Sequence, residues 1–169
     1  MRQALRITAV FVLVVTLIGA GVFYYGIRTM TPAAEQISVT ATPAVQQQAV
    51  FDAVMAQAAQ QTFTGRLYGD AIGLQAQDCT FLTYTVRLKN KGFFPAEWIA
   101  LTVIPRMEDE TGRDVLALPD AGAYVLHAGT EGDLSATILT TGDAQNTQRT
   151  LEVSCYVFGR KVSFQLNAQ

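Results

Sequence analysis

The sequence predicts an all-β antiparallel sandwich carried on an N-terminal transmembrane helix, with a short amphipathic helix between the two. Three observations predict it. The run ITAVFVLVVTLIGAGVFYYGI, from Ile7 to Ile27, holds no formal charge. From about Thr62 onward, apolar and polar residues alternate, the period of a half-buried strand. Turn residues then punctuate those alternating runs at regular intervals, the mark of a sandwich of roughly seven strands.

At 1.5 Å per residue, the apolar run makes a helix about 30 Å long, the thickness of a bilayer hydrocarbon core. Arg2 and Arg6 precede it and only Arg28 follows closely. That asymmetry places residues 1–6 in the cytoplasm, the anchor over 7–27, and the remainder outside. Tyr24 and Tyr25 fall at the outer interface, where an apolar ring with a polar tip is favoured. A cleaved signal peptide is the competing reading. Its apolar region would be about 7–15 residues long with a small-x-small site close behind. Here the nearest such sites end at Ala34 and Ala41, well past the run, so an uncleaved anchor is expected.

Residues 28–42 are poor in large apolar side chains, carry Pro32, and read as a spacer. Thr42-Pro43 has the form of a helix start, a hydroxyl cap followed by proline at the first helical position. Val50, Phe51, Val54, Met55, Ala58 and Ala59 form one apolar arc, with glutamines opposite. An amphipathic helix over 43–61 follows, packed on its own domain or, alternatively, facing another membrane protein.

The strands begin after it, over 62–169. Leu82, Tyr84, Val86 and Leu88 alternate with Thr83, Thr85 and Arg87; Ile99, Leu101 and Val103, then Leu151, Val153, Cys155 and Val157, repeat the habit. NKG at 90–92, DETG at 109–112, HAGTEGD at 127–133 and TTGDAQN at 140–146 supply the turns. In YVFGRKV, Gly159-Arg160 has the glycine-first pattern of a type II′ hairpin. This succession of strand, NKG, strand, DETG, strand, HAGTEGDLSATI, strand resembles the bacterial Ig-like modules of the cell-adhesion-related (CARDB) and FxLyD types, over about Leu82 to Leu166. The F-x-L-y-D core is absent, only Asp109 and Gly112 of it being kept. The resemblance implies an Ig-like sandwich on the outer face of a bacterial envelope, and no active site.

The connector between the runs 84–88 and 99–103 holds the densest group of unusual residues. Asn90 and Gly92 tolerate positive φ and Pro95 fixes the chain direction, so it reads first as a sheet corner. Phe93, Phe94 and Trp98 are a possible partner surface, since aromatics dominate binding hot spots. As large aromatics they are expected instead to plug the sandwich end. Cys79 and Cys155, an even pair in the exported part, are expected to form a disulfide. Cys79 shares parity with the polar face of its strand and Cys155 with the apolar face, so the bond requires Cys79 to sit at a strand mouth or on a bulge. Two buried thiols are the other reading.

Composition narrows the chemistry. Removing Arg2 and Arg6 from twelve basic residues leaves ten against fourteen acidic ones, an exported part about four units negative. Nucleic acid, which needs a basic stripe, is not an expected partner. His127 is the single histidine and has no serine or cysteine motif beside it, so no catalytic residues are assigned. Zinc sites of three histidines or four cysteines are excluded by count, and no cofactor or metal is expected. Glu108, Asp109, Glu110 and Asp114, or Glu131, Asp133 and Asp143, offer acids for calcium without the spacing of a preorganised loop. The sequence therefore predicts a non-catalytic binding or scaffolding module of the cell envelope, held in the membrane by its helix and facing a protein or envelope partner. An accessory subunit of a membrane complex, and a small exported enzyme or calcium-dependent protein, are the alternatives.

Overall fold

The computed structural model describes residues 2–28, 31–106, 112–119, 124–142 and 147–168. Helix α1 spans Arg2–Arg28. Its segment Arg6–Gly26, 21 residues of mean hydropathy 2.4, is long and apolar enough to cross a membrane, and none of its most apolar window is buried in the protein. An apolar rod that finds no protein core is stable only where lipid replaces water around it.

The rest is mostly β. Strand β1 (Ala33–Pro43) leads into a 3₁₀ turn (Ala44–Gln47) and α2 (Gln48–Ala59); β2 (Arg66–Leu67), β3 (Cys79–Lys89), β4 (Ala96–Val103), β5 (Asp114–Ala117), β6 (Tyr124–Leu126), β7 (Glu131–Thr141), β8 (Arg149–Val157) and β9 (Arg160–Ala168) follow. They form two antiparallel sheets, ordered β1-β3-β7-β5-β2 and β6-β4-β8-β9. Nine strands among the described residues exceed the seven expected, because β1 and β2 lie where the sequence signal is weakest.

Strand β1 corrects the spacer reading of 28–42. Only Ile37 and Val39 are large and apolar within AAEQISVTATP, which is thin for a strand. An edge strand needs little more, since one neighbour completes its ladder. Ile37 pairs with Val86 and Val39 with Tyr84, and both lean on the main core. Proline is tolerated at such an edge, and Pro43 closes it. The helix expected over 43–61 is correspondingly shorter. Pro43 belongs to β1, no side chain caps the 3₁₀ turn, and α2 begins only at Gln48. Its arc survives in part: Phe51 and Val54 are buried, with Met55 and Ala58 half-buried beside them, while Val50 and Ala59 are exposed. The helix packs on its own domain.

Two cores result, one on each side of the five-stranded sheet. Between the sheets lie Leu82, Tyr84, Val86 and Leu88 of β3 against Leu101 and Val103 of β4 and Leu151 and Val153 of β8. On the outer side, Phe81 and Leu139 (directly paired across β3 and β7) meet Phe51 and Val54 of α2. Successive residues of a strand face opposite sides, so β3 reads CTFL at one end with both sides dry. It reads TVRLK at the other, where the outer side is wet. There Thr83–Thr137, Thr85–Ser135, Arg87–Asp133 and Lys89–Glu131 stack as cross-strand polar pairs at 2.9, 3.0, 2.8 and 2.6 Å.

The two sheets are laced at the dry end by buried polar groups. Asp114 of β5 receives two hydrogen bonds from the Arg149 guanidinium of β8, at 2.8 and 2.7 Å, with the backbone N–H of Arg106 as a further donor to the carboxylate at 2.6 Å. The Tyr84 hydroxyl donates to the Thr147 carbonyl at 2.8 Å. Burial, countered by the Arg149 charge, pushes that phenol up to about 12. Removing one member of a buried ion pair strands the other charge in a dry site. Arg149→Met is therefore expected to cost about 3–5 kcal/mol of unfolding free energy, and the double substitution Asp114→Leu/Arg149→Met much less. Urea denaturation of both variants of the full chain measures the difference.

Candidate functional site

The site candidate is the end of the sandwich where α1 arrives. Antiparallel register decides which loops share it. Ala33 pairs with Lys89 and Lys89 with Glu131, while Ala96 pairs with Val157. The start of β1, the 90–95 connector, the 127–130 turn and the 158–159 turn therefore lie together. Four residues separate Arg28 from Ala33, a reach of at most about 18 Å.

The connector is a corner, as its sequence suggests, but it is held differently. Positive φ falls on neither Asn90 nor Gly92. Instead the buried Asn90 side chain donates to the carbonyls of Phe94 and Leu126 at 2.8 and 3.0 Å and accepts from the Gly92 N–H at 2.9 Å. Its backbone N–H donates to the Thr130 carbonyl, and its own carbonyl accepts from Gly129. Each Asn90 group has a partner, which fixes the corner without backbone strain.

The aromatic residues do not plug the sandwich. Phe93 is 64 % exposed, Trp98 66 % and Phe94 38 %. Phe93 lies 5.8 Å from the ring of Tyr25 at the end of α1, and the Phe94 ring is the group a Cβ on Gly26 would meet, at 3.9 Å. On its other side Phe94 stacks at 5.1 Å on Phe158, itself 76 % exposed. Glu97, Trp98, Tyr156 and Gly159 line a shallow depression of about 450 Å³ next to this group.

Trp98 is outside because β4 bulges there. Glu97 opposes Tyr156 and Ala100 opposes Ser154, so two residues of β4 face one of β8. The bulge resets the strand's phase, letting Ala96 and Ile99 both point inward. Trp98 takes the left-handed backbone, with φ 50°. The β8–β9 turn has a related feature. Val157 pairs with Arg160, so the turn residues are Phe158 and Gly159, with φ 51° and 73°. That is the two-positive-φ pattern of a type I′ hairpin, in place of the type II′ turn expected at Gly159-Arg160. Phenylalanine is unsuited to its first position, where asparagine is preferred. Sequence reasoning missed Phe158; an aromatic directly before a turn glycine was the available signal.

The remaining candidates do not join the site. Cys79 and Cys155 are free buried thiols, and the expected disulfide is absent. The reason is the parity conflict, unrelieved by any bulge at Cys79. Cys79 lies in the outer core beside α2 and Cys155 between the sheets, so the five-stranded sheet stands between them. Burial, with the Asp78 charge adding to it, pushes the Cys79 thiol up to about 11; burial also raises Cys155. His127 is exposed in the 127–130 turn, its carbonyl accepting from Thr130. Asp114 is committed to Arg149, Asp133 to Arg87 and Glu131 to Lys89. Glu108, Asp109, Glu110 and Asp143 lie outside the described residues, among which no three metal-ligating side chains gather.

Two outcomes test this geometry. Phe158→Asn should raise stability by about 0.5–1 kcal/mol, the relief of a strained turn position, seen as a higher Tm; a lower Tm would mean that the Phe94 contact outweighs the strain. Both thiols should resist alkylation at pH 8 in the folded chain and react when it is unfolded, because each is protonated and covered; mass spectrometry counts the adducts. A scan against protein-family models and a search of curated proteins each found no match for this chain.

Proposed function

We propose that the chain is a single-pass, membrane-anchored Ig-like module outside the cytoplasmic membrane of a bacterium, working without catalysis as a binding or scaffolding surface in the envelope. The observation that carries this reading is the joining of an apolar helix of membrane length to a β-sandwich through only a few residues. The arginines before α1 orient it, since basic residues are retained on the cytoplasmic side. The turn-and-strand likeness to the CARDB and FxLyD types supports the same habitat.

A β-sandwich binds most simply by lending an edge strand to a partner, which then supplies main-chain hydrogen bonds and side-chain pockets. Among the described residues four strands are edges, and they differ. The β1 edge is broken by a register shift between Ala34 and Gln36 and closed by Pro43; β2 and β6 are two and three residues long. Strand β9 pairs with β8 in unbroken register over nine residues, Arg160 to Ala168, and contains no proline. Among the described residues it is the longest uninterrupted edge, charged only at its start by Arg160 and Lys161, and an extended segment of an envelope protein is its fitting partner.

A photoreactive residue placed at Gln165 of β9, irradiated in intact cells, tests the reading. Adducts to one reproducible protein, absent when the residue sits at Thr85 on the opposite sheet, are the expected result. Labelling of Lys161 by a membrane-impermeant amine reagent in the same cells should accompany them. No protein adduct, or labelling only after the membrane is opened, would refute the reading.

A further inference from the structure

Beyond partner binding by β9, and resting on the membrane anchorage proposed above, we infer that the aromatic end of the sandwich is a second membrane contact: Phe93, Phe94, Trp98 and Phe158 seat in the lipid interface beside α1. The first support is position. The apolar span ends at Gly26, so Tyr25 marks the outer interface, and Phe93 touches Tyr25. Register and the short connection from Arg28 hold the 90–95 connector and the 158–159 turn at that level even if the helix tilts.

Residue type is the second support. Large amphipathic and aromatic rings concentrate at the headgroup level of a bilayer. Trp98, the sole tryptophan of the chain, and Phe158 are strongly exposed, as is Phe93. Two of these also sit in an unfavourable backbone conformation. Among the described residues, three that are not glycine take positive φ: Gln61, Trp98 and Phe158. Two of the three are exposed aromatics at the same end. Strain of this kind persists where the side chain is needed in its place. Water offers such rings nothing there; the boundary between headgroups and acyl chains does.

Charge is mixed around the patch. Lys91, Arg160 and Lys161 are exposed, while Lys91 pairs at 3.8 Å with Glu35, and Glu97 borders Trp98. The rings, not net charge, are what the lipid meets, and anionic headgroups are not required. A single weak membrane contact is reversible, but added to a transmembrane helix it fixes orientation. The sandwich is thereby held end-on, with β9 presented at a set height.

The lone tryptophan reports on this directly. The full chain is reconstituted in phosphatidylcholine vesicles containing lipid spin-labelled just below the glycerol backbone, or at the chain terminus. Trp98 emission should fall by roughly half with the shallow label, and less with the deep one. Phe93→Ser with Phe158→Asn, both at exposed positions, should abolish most of that quenching while circular dichroism stays unchanged. Trp98→Phe with Phe158→Trp moves the reporter to the turn tip and should preserve it. A chain that co-floats with vesicles, yet whose Trp98 ignores both labels and is quenched by acrylamide like free indole, overturns the inference. Shielding from acrylamide without lipid quenching, as a second copy would produce, overturns it as well. Failure to co-float refutes the anchor instead, and is read separately.

Discussion

The short covalent link between a membrane-length helix and the first strand constrains everything else in this molecule. Four residues between Arg28 and Ala33 cannot span more than about 18 Å. Because β1 runs antiparallel to β3 from Ala33 opposite Lys89, one end of the sandwich is tied to α1 and the other is sent away from it. The 90–95 connector is thus near the end of α1 for a topological reason, whatever its side chains are. Its Asn90 hydrogen bonds make that end rigid, so the aromatic group is displayed by a fixed corner and not by a floppy loop.

The distribution of polar and apolar contacts follows the same axis. Far from α1, β3 is covered on both sides and the sheets are tied by Asp114–Arg149. Near it, the outer side of the five-stranded sheet carries a ladder of charged and hydroxyl pairs. The charged pairs of that ladder are solvent-exposed and contribute little to stability. Their use is to keep the broad outer sheet face wet, which leaves the aromatic end as the apolar surface beside the anchor. Helix α2, which its sequence allowed to face another protein, spends its apolar arc on Phe81 and Leu139 of its own domain.

Much of this was legible in the residues. The charge-free run announced α1, and alternation in LTYTVRL and IALTV announced the sheets. What escaped did so for identifiable reasons. Strand β1 has too few large apolar residues to be recognised alone, since a partner supplies most of its stabilisation. The disulfide expected from compartment and cysteine count fails on parity, which the sequence already displayed: residue 79 is in phase with Thr83 and Thr85, residue 155 with Val153. Trp98, expected to plug the sandwich end, lies outside because of a bulge that was hidden, except in the three-residue step from Ala96 to Ile99. Phe158 was passed over because the turn was taken one residue late.

A sandwich standing on one end beside its anchor is the claim on which these readings meet. Strand β3 is eleven residues long, about 35 Å in extended form, so the two ends should differ greatly in height. Energy transfer from a dye on a cysteine at Gly129, and separately at Gln57 of α2, to acceptors in the lipid headgroups of vesicles carrying the full chain measures those heights. The account predicts strong transfer from position 129 and weak transfer from position 57, a separation of about 20 Å or more. Equal transfer from both, or the stronger signal from α2, would contradict it.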